Sequence, residues 1–578
     1  MAKHEHEYGL YGLLLARATD APTAPAIAAP GRLTLDYAGL LGQVEDMIRA
    51  LRSHGIQLSE RVAVALPQGP ECLTACLGVA AGAIAVPLNP NAATTTYERV
   101  FDEVTPVALV TLSGLECLAR TVALARGIRV LDIQVRPDLP AGRFELLGSN
   151  EAGACADLGG RDNVALLLGT SGTTSRPKFV PLRHRHVLAA AGNTRTALAL
   201  GSDDRCLDLA MLFHAHGLVA GAVSSLVGGG CVICPPEFDS EEVFSWIDEC
   251  RPTWITAVPT VHQAILRVSP GYLGVVSSLQ LRLIRSASAY LPDATRDELE
   301  RIFRTIVVEG YGLTEAMQLT NTPLEPSRRK IGSMGLPGTS EVGIMAPDGH
   351  LLEAGVQGEI VARGPVVIDS YWYRPDADAE AFRDGWFRTG DVGYLDDEGH
   401  LFMTGRLKDQ INRGGEKIAP QEVDAALLSH PAVAQAMAFG IPHPTLGEEV
   451  AAAVVLRSGQ QASPESLRRH ASGRLADYQV PQQVFIVPEL PASSIGKLLR
   501  RDLAQRLDLQ SLRPPYEAPR NDAERRLVSA WESLLGVTPV GIRDNFFALG
   551  GDSLLAARMA ARIGRELGLE VPLALVFS

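Results

Sequence analysis

Short apolar runs alternate with longer helix-like segments through the first 310 residues of the chain. The apolar runs lie at 62–66, 83–87, 107–111, 130–133, 164–168, 231–234, 254–258, 281–285 and 305–309. Runs of this length and composition are typical of strands buried in a sheet. Because strands that alternate with helices form βαβ units, the pattern predicts an α/β architecture with largely parallel sheets.

The pattern changes after this region. From about 340 to 403, short strand-like runs are separated by Gly, Pro and Asp, which predicts a small β-rich subdomain. Pro514, Pro515 and Pro519 predict a stiff linker ahead of an amphipathic helix at 522–535. We therefore predict a large α/β domain with its β-rich subdomain, a small mobile α+β domain, a linker and a partial helical domain. Their bounds are 1–405, 406–510, 511–520 and 521–578.

Composition narrows the class of protein. A chain of 578 residues exceeds what one hydrophobic core normally supports, so several domains are expected. The net charge of −13 argues against a nucleic-acid partner. The polar N-terminus contains neither a signal peptide nor a membrane span. The eight cysteines lie mostly in apolar contexts, as buried thiols do in a reducing compartment. We predict a cytoplasmic protein without a membrane partner.

One loop carries candidate chemistry, G-T-S-G-T-T-S-R-P-K at 169–178. Gly169 and Gly172 allow backbone N–H groups to converge on an anion. Hydroxyl groups and positive charge come from Thr170, Ser171, Thr173, Thr174, Arg176 and Lys178. These features predict a phosphate-binding loop, although an ordinary surface loop fits the segment taken alone. The spacing differs from that of the Walker loop, which argues against P-loop NTPase chemistry.

Four further motifs follow the loop. They are E-G-Y-G-L-T-E at 309–315, W-F-R-T-G-D at 386–391, G-R-L-K-D at 405–409 and S-I-G-K at 494–497. In this order, the five motifs resemble the adenylate-forming superfamily of acyl-CoA synthetases, luciferases and peptide-synthetase adenylation domains. The resemblance covers roughly residues 10–502. It implies an AMP-forming acid–thiol ligase, in which a carboxylate attacks the α-phosphate of ATP and pyrophosphate leaves.

The resemblance implies how ATP and Mg²⁺ are bound. The loop 170–178 would hold the β- and γ-phosphates, and Thr314 would contact the α-phosphate. Glu315 would hold Mg²⁺, a hard cation that prefers oxygen ligands. Taken singly, Glu315 also fits an exposed acid at the start of a helix.

Four more residues have implied roles around the nucleotide. Tyr311 would stack on adenine, and Asp391 would accept both ribose hydroxyls with Arg406 alongside. Lys497 would bridge the substrate carboxylate and the α-phosphate, where negative charge builds up in the transition state. Taken singly, Asp391 fits a turn and Lys497 an exposed surface, but their order among the motifs favours the functional roles.

Members of this superfamily alternate between two arrangements of the small C-terminal domain. The pivot position corresponds to Lys408. Gly415 corresponds to a position that the phosphopantetheine arm approaches so closely that a side chain would be in its way. A hinge consists of a few residues that absorb a dihedral change. A plain linker lysine is the alternative for Lys408.

The acid substrate is indicated by residues 211–218, M-L-F-H-A-H-G-L. In amino-acid-activating domains this segment carries an Asp that pairs the substrate ammonium, because an unpaired buried charge is costly. Here His214 and His216 take its place, which argues against an α-amino acid. This segment and residues 409–420 resemble the oxalate-, malonate- and coumarate-activating CoA ligases.

The strand end at 284–288 lines the acyl pocket in this superfamily and here contains Arg285, Ser286 and Ser288. A buried arginine there could pair a second carboxylate or a keto oxygen bidentately. A structural ion pair is the alternative. With His214 and His216, these residues favour a small polar acid over a long fatty acid.

Residues 544–555, D-N-F-F-A-L-G-G-D-S-L-L, resemble the attachment motif of carrier domains. The resemblance implies that a phosphopantetheinyl transferase attaches 4'-phosphopantetheine to Ser553, at a helix start that favours phosphate. Carrier domains usually extend further than the 25 residues that follow Ser553, so we expect a truncated carrier.

We hypothesise that the protein adenylates a small non-amino carboxylic acid and transfers it to the arm on Ser553, as in a loading module of a nonribosomal peptide synthetase. Downstream synthetase modules are possible partners. A ligase that uses free coenzyme A is one alternative. A carrier or scaffold beside an inactive adenylation fold is the other.

Overall fold

A computed structural model provides the fold of the chain. It describes residues 2–115, 117–136, 138–148, 155–170, 178–443, 446–490, 500, 503, 516–544, 546, 549, 555, 558–560 and 562–564. The chain forms two compact units, Met1–Met403 and Thr404–Ser578.

The first unit contains a seven-stranded sheet. Its strands lie in the order Phe144–Leu146, Arg129–Val135, Ala108–Leu112, Arg61–Ala65, Ile84–Pro87, Val164–Gly169 and Phe179–Arg183. The inner strands pair in parallel, whereas both edge strands are antiparallel. The edge hairpin made by Val164–Gly169 and Phe179–Arg183 brings together the two ends of the predicted phosphate loop.

A nine-stranded sheet forms the second layer. Its strands lie in the order Leu336–Pro337, Thr320–Asn321, Ile306–Tyr311, Leu283–Ala287, Trp254–Ala257, Arg205–Asp208, Cys231–Ile233, Pro25–Ala28 and Leu35–Asp36. The strands from Ile306–Tyr311 to Pro25–Ala28 are parallel. The register sets Thr256 beside Arg285 on the neighbouring strand. These two sheets confirm the predicted parallel-rich α/β domain.

The predicted β-rich subdomain is a five-stranded sheet, in which the first four strands along the chain pair antiparallel. Its strands are Glu341–Met345, Gly358–Arg363, Phe382–Arg383, Trp386–Leu395 and Leu401–Arg406. Asp391 lies on the long strand Trp386–Leu395.

Helices cover the sheets of the first unit. The described α-helices are Ala2–Asp20, Tyr37–Ser53, Pro70–Gly82, Thr94–Val104, Leu118–Ala125, His184–Ala197, Ser224–Gly228, Val243–Cys250, Pro259–Val268, Leu273–Ser278, Asp293–Phe303 and Pro375–Ala381. Two 3₁₀ turns, Ser269–Tyr272 and Pro326–Arg328, and one π-helix, His216–Val223, complete the set.

One apolar core joins these helices to both large sheets. Helix Pro70–Gly82 is buried along nearly its whole length, which explains why its sequence is apolar on every side. It packs closely on helix Tyr37–Ser53, because a Cβ atom at Gly78 would come within 2.7 Å of Met47. This central layer holds the two sheets together.

The second unit begins with a smaller sheet. Its strands are Ile411–Arg413, Glu416–Ile418, Val433–His443, Gly447–Leu456 and Gln483–Ile486, packed with helices Pro420–Leu428 and Pro464–Ser472. This is the predicted small α+β domain.

Helix Asp522–Leu535 follows, at the bounds predicted from its amphipathic pattern. The side chain of Asn521 caps its first turn by accepting from the backbone N–H of Glu524 at 2.9 Å. Its apolar face contributes Leu527 and Trp531 to a small cluster with Phe546, Met559 and Ile563. The described part of this region is helical, as predicted for the last domain.

Candidate active site

Several of the described site residues of the first unit lie at or just beyond the carboxyl ends of parallel strands. Tyr311 ends the strand Ile306–Tyr311, and Ser288 directly follows the strand Leu283–Ala287. In open α/β sheets, ligands bind in the crevice outside these strand ends. The fold therefore directs the predicted nucleotide and acyl residues toward one edge of the nine-stranded sheet.

Tyr311 and Asp391 come together although 80 residues separate them in the chain. The Tyr311 hydroxyl donates to Asp391 Oδ2 at 2.8 Å. Both side chains are buried, and the backbone N–H of Asp391 donates to Thr389 Oγ1 at 3.1 Å. An aromatic ring beside a fixed carboxylate provides the two groups that adenine and ribose recognition require.

The base of the predicted phosphate loop is closed by two hydrogen bonds. The backbone N–H of Thr170 and its hydroxyl both donate to the carbonyl of Lys178, at 2.9 and 3.2 Å. Residues 171–177, which include Ser171, Gly172, Thr173 and Thr174, lie outside the described residues.

Tyr371, which the sequence analysis missed, connects Lys178 to Glu315. Its hydroxyl donates to Glu315 Oε1 at 2.8 Å. The Nζ atom of Lys178 lies 4.8 Å from the centre of the Tyr371 ring, within cation–π range. Burial, together with the Glu315 carboxylate, raises the pKa of Tyr371, so the tyrosine is neutral and donates. The only local signal in the sequence is the aromatic run from Tyr371 to Tyr373.

Backbone contacts hold the Tyr371 segment in position. The N–H of Ile368 donates to the carbonyl of Glu315 at 3.0 Å, and the N–H of Trp372 donates to the carbonyl of Phe179 at 2.9 Å. Glu315 and the phosphate-loop hairpin are thus bridged by one stretch of chain. This explains how residues from distant motifs keep a fixed spacing.

Thr314 lies in a tight turn between Tyr311 and Glu315. The N–H of Leu313 donates to the carbonyl of Ala316 at 3.0 Å. A Cβ atom at Gly312 would lie 2.6 Å from the backbone nitrogen of Gln318, so the turn requires glycine there. Thr314 itself is half-buried at the strand end.

A polar network lies at the strand ends where the sequence predicts the acyl pocket. His216 Nε2 lies 2.8 Å from Thr256 Oγ1, and His216 Nδ1 lies 3.0 Å from Ser288 Oγ. Arg285 Nη1 donates to Thr256 Oγ1 at 3.4 Å and Nη2 donates to Gln318 Oε1 at 2.6 Å. The sequence analysis missed Thr256 and Gln318, because only the sheet register brings them to Arg285.

Burial governs the charge of this network. It lowers the pKa of Arg285 to about 10, so the guanidinium stays positive near neutral pH. Burial, and then the charge of Arg285, lower the pKa of His216 well below its usual value, so this imidazole is neutral. Ser286 is buried beside them, and its Oγ has no hydrogen-bond partner among the described residues. His214 is half-buried, with its ring 4.5 Å from that of Phe213.

Asp208 is a buried acid near the network that the sequence analysis also missed. Its Oδ1 accepts from the N–H of Ala210 at 3.1 Å, and a Cβ atom at Gly221 of the π-helix would lie 2.2 Å from its Oδ2. Burial raises the pKa of Asp208 well above its usual range, more than the charge of Arg285 lowers it. The carboxyl is packed against the π-helix, and its burial there favours the neutral form.

The remaining predicted residues follow Thr404, where the second unit begins within the strand Leu401–Arg406. Arg406 ends the strand Leu401–Arg406 and accepts, through its carbonyl, from the N–H groups of Asp409 and Gln410. Lys408 is exposed in this turn. Gly415 has a φ of 97°, in the left-handed region, at the tip of the hairpin formed by Ile411–Arg413 and Glu416–Ile418.

Lys497 and Ser553 lie outside the described residues. Arg500, three residues after Lys497, is tied to the helix Pro420–Leu428, because its Nη2 donates to Asp424 Oδ2 at 2.6 Å. Both side chains of this ion pair are largely buried.

Among the described residues, no three His, Cys, Asp or Glu side chains converge as a ready-made metal centre. A metal ion at Glu315 would therefore draw its other oxygen ligands from the nucleotide and water, as Mg²⁺ usually does in nucleotide sites. In the same part of the chain, no helix is long and apolar enough to cross a bilayer.

Comparison with known proteins identifies the family of the chain. The AMP-binding enzyme family matches residues 14–372, and the AMP-binding enzyme C-terminal domain matches residues 422–497. The phosphopantetheine attachment site family matches residues 525–578. The chain belongs to the AMP-binding enzyme family, whose members are adenylate-forming acid–thiol ligases, and it carries a phosphopantetheine attachment domain on the same polypeptide.

Individual relatives cover the same part of the chain. An oxalate–CoA ligase of Arabidopsis thaliana is 37% identical over 507 residues, which cover 86% of this chain and 98% of the relative. ATP-bound MatB from Rhodopseudomonas palustris is 28% identical, with a TM-score of 0.79 over 86% of this chain and 98% of that structure. An o-succinylbenzoate coenzyme A synthetase from Bacillus subtilis, in complex with ATP and a magnesium ion, is 29% identical, with a TM-score of 0.72 over 85% and 99% of the two chains.

Proposed function

We propose that this enzyme adenylates a small non-amino carboxylic acid with ATP and transfers the acyl group to the phosphopantetheine thiol of its own attachment domain. The main support for the proposal is that one polypeptide matches both domains of the AMP-binding enzymes and also the phosphopantetheine attachment site. A fused arm raises the local concentration of the acceptor thiol, so transfer within the chain competes well with transfer to a free thiol.

The nucleotide is bound by the residues around Tyr311 and the phosphate-loop hairpin. Tyr311 stacks on adenine, and Asp391 accepts the ribose hydroxyls. The loop at 170–178 holds the β- and γ-phosphates, with Lys178 supplying positive charge, and Thr314 contacts the α-phosphate. By the resemblance of their motifs, we assign Arg406 to the ribose and Lys497 to the substrate carboxylate and the α-phosphate.

Glu315 holds Mg²⁺ in this proposal. A carboxylate supplies the oxygen ligand that this hard cation prefers, and the Tyr371 hydroxyl orients that carboxylate. When bound, Mg²⁺ neutralises charge on the phosphates of ATP and so favours departure of pyrophosphate.

The charges of the pocket favour an acid without an ammonium group. The residues assigned to the pocket include the Arg285 cation and the neutral His216. An α-ammonium group would be repelled by the Arg285 cation. A second carboxylate or a keto oxygen would instead be attracted to it. We therefore propose oxalate, other small dicarboxylates and keto acids as the substrate class.

ATP–pyrophosphate exchange tests the first half-reaction. The panel comprises amino, keto, hydroxy, dicarboxylic and aryl acids, with Lys497→Ala as the inactive control. Exchange stimulated by small dicarboxylic or keto acids supports the proposal, whereas exchange with amino acids alone contradicts it. Absence of exchange with every acid would favour an inactive adenylation fold that serves as a carrier scaffold.

A second candidate is a ligase that uses free coenzyme A, because the relative from Arabidopsis thaliana is named for that reaction. The two candidates differ in their dependence on Ser553. If the protein uses free coenzyme A, the Ser553→Ala variant forms acyl-CoA at the native rate, and phosphopantetheinylation does not change that rate. Under the first, a phosphopantetheinyl transferase is required, and downstream synthetase modules in the cytoplasm take the acyl group from the arm.

A further inference from the structure

Arg285, Thr256, His216 and Ser288 form a continuous chain of hydrogen bonds at the end of the nine-stranded sheet. Thr256 and Arg285 lie on adjacent strands in direct register. His216 begins the π-helix that covers these strand ends, and it reaches Thr256 with one ring nitrogen and Ser288 with the other. These hydrogen bonds therefore lead from the buried Arg285 cation to Ser288, at the mouth of the predicted pocket.

Arg285 determines which group donates and which accepts in each of these hydrogen bonds. A guanidinium only donates hydrogen bonds, so Thr256 Oγ1 accepts from Arg285 Nη1. The single hydroxyl proton of Thr256 is then available for His216 Nε2 at 2.8 Å. A ring nitrogen that accepts cannot carry a proton in neutral imidazole, so the proton lies on Nδ1, which donates to Ser288 Oγ at 3.0 Å.

The opposite tautomer would leave a buried donor unsatisfied. If His216 Nε2 carried the proton, Thr256 Oγ1 would accept from both His216 and Arg285. The Thr256 hydroxyl proton would then have no acceptor among the described residues, although this side chain is fully buried. Buried hydroxyl groups are almost always paired, because an unpaired one loses its hydration without compensation. The cationic form of His216 is disfavoured by burial and by Arg285.

Ser288 is the exposed end of this series of hydrogen bonds. It has a φ of 74°, in a region that few non-glycine residues adopt, directly after the strand Leu283–Ala287. Its oxygen accepts from His216, and within the described part of the chain no acceptor is found for its own proton. Ser288 therefore presents a hydroxyl donor to whatever occupies the pocket.

We propose that Thr256 is a positioning residue that holds His216 in its Nδ1–H tautomer, so that Ser288 donates its hydroxyl proton to an oxygen of the acid substrate. This inference rests on the proposed function and narrows its substrate class. The preferred acid carries a hydrogen-bond acceptor next to the reacting carboxylate, as oxalate and 2-keto acids do. Glycine, which carries an ammonium donor at that position, and acetate, which carries neither, are the disfavoured analogues.

The tautomer is measured independently of activity. In full-length protein labelled with ¹⁵N-histidine, long-range ¹H–¹⁵N correlation spectra distinguish the two tautomers, and His216→Asn assigns the signal. We expect the Nδ1–H tautomer in the native protein and in Thr256→Ser, and its loss in Thr256→Val, which has the same shape but no hydroxyl. An Nε2–H tautomer in the native protein, or an unchanged signal in Thr256→Val, overturns the proposal.

Exchange kinetics with oxalate supply the functional readout. We expect Thr256→Val to raise the KM for oxalate about tenfold with little change in kcat, because a hydrogen bond to a charged acceptor is lost. Thr256→Ser should restore the native KM. The control is Thr111→Val, since Thr111 is an equally buried strand threonine of the seven-stranded sheet. Thermal unfolding of each variant verifies that it folds.

The two readouts separate this inference from the proposed function. A native KM in a folded Thr256→Val protein overturns the role of Thr256 while leaving the adenylation proposal standing. If no acid supports exchange but the tautomer changes as expected, the proposed function fails and the assignment of Thr256 to the His216 tautomer stands.

Discussion

Tyr371 shows how much one side chain can organise at the residue scale. Its hydroxyl contacts the candidate Mg²⁺ ligand Glu315, and its ring contacts the phosphate-loop cation Lys178. Neither partner lies near it in the chain. A tyrosine in this position orients the carboxylate through a donated hydrogen bond and limits the freedom of the lysine through its ring.

Removal of the Tyr371 hydroxyl should therefore weaken the use of ATP and Mg²⁺. We expect Tyr371→Phe to lower kcat/KM for ATP about tenfold in exchange assays and to raise the Mg²⁺ concentration needed for half-maximal rate, because the hydrogen bond goes to a charged group. Tyr373→Phe is the matched control, since Tyr373 is 83% exposed. Equal exchange rates for the two variants would show that the hydrogen bond from Tyr371 to Glu315 does not contribute to activity.

At the scale of elements, the π-helix His216–Val223 places His216 against Thr256 and Ser288. π-Helical segments are rare and occur frequently at functional sites. Glycine permits its close approach to the sheet, because a Cβ atom at Gly217 would lie 2.6 Å from the carbonyl oxygen of Ala210 and one at Gly221 would lie 2.2 Å from Asp208 Oδ2. The Asp208 carboxyl fills the space beneath this element.

A methyl group at Gly221 should push the π-helix off the sheet. We expect Gly221→Ala to lower the free energy of unfolding of the first unit by about 1–3 kcal/mol, as overpacking of a core usually does. Urea unfolding followed by fluorescence measures the change. Gly192→Ala in helix His184–Ala197 is the matched control, because nothing lies within 4 Å of its added Cβ atom. That variant should unfold at the same urea concentration as the native protein or at a slightly higher one.

The elements differ in how far the sequence predicts them. The buried strands are visible in the sequence as apolar runs, because parallel strands are covered on both faces. The presence of these strands and the α/β class can therefore be predicted from the hydrophobic pattern alone. The contact of Arg285 with Thr256 depends on sheet register, and that of His216 with Thr256 also requires the π-helix to lie over the strand ends. Neither is encoded in local periodicity. Asp208 was missed for the same reason, because a single acid at the end of an apolar strand is ordinary in sequence.

At the scale of the whole molecule, the first unit buries several histidines in neutral form. Burial lowers the pKa values of His184, His186 and His262 to about 4. His184 accepts from the backbone N–H of Leu10 at 3.1 Å and so fastens the N-terminal helical segment to helix His184–Ala197. The unfolded chain binds protons at these positions near pH 6.5, whereas the folded chain does so only near pH 4.

Stability should therefore fall as the pH drops from about 6.5 toward 4. The depressed folded-state pKa means that the unfolded state binds more protons in this window, so acid favours unfolding. At pH 4 each such histidine costs about 3 kcal/mol at most. We expect His184→Asn, which retains an acceptor for Leu10, to flatten the dependence of the unfolding free energy on pH. A pH dependence equal to that of the native protein would refute the role of His184.

The central claim is that one chain both activates an acid and accepts it. The direct measurement is the intact mass of the phosphopantetheinylated protein after a single turnover with ATP, Mg²⁺, free coenzyme A and the acid that best supports exchange. The account predicts an acyl mass increment on the Ser553 peptide, equal in amount to the AMP formed and absent from Ser553→Ala. Formation of AMP together with free acyl-CoA, and no acyl group on Ser553, would contradict it.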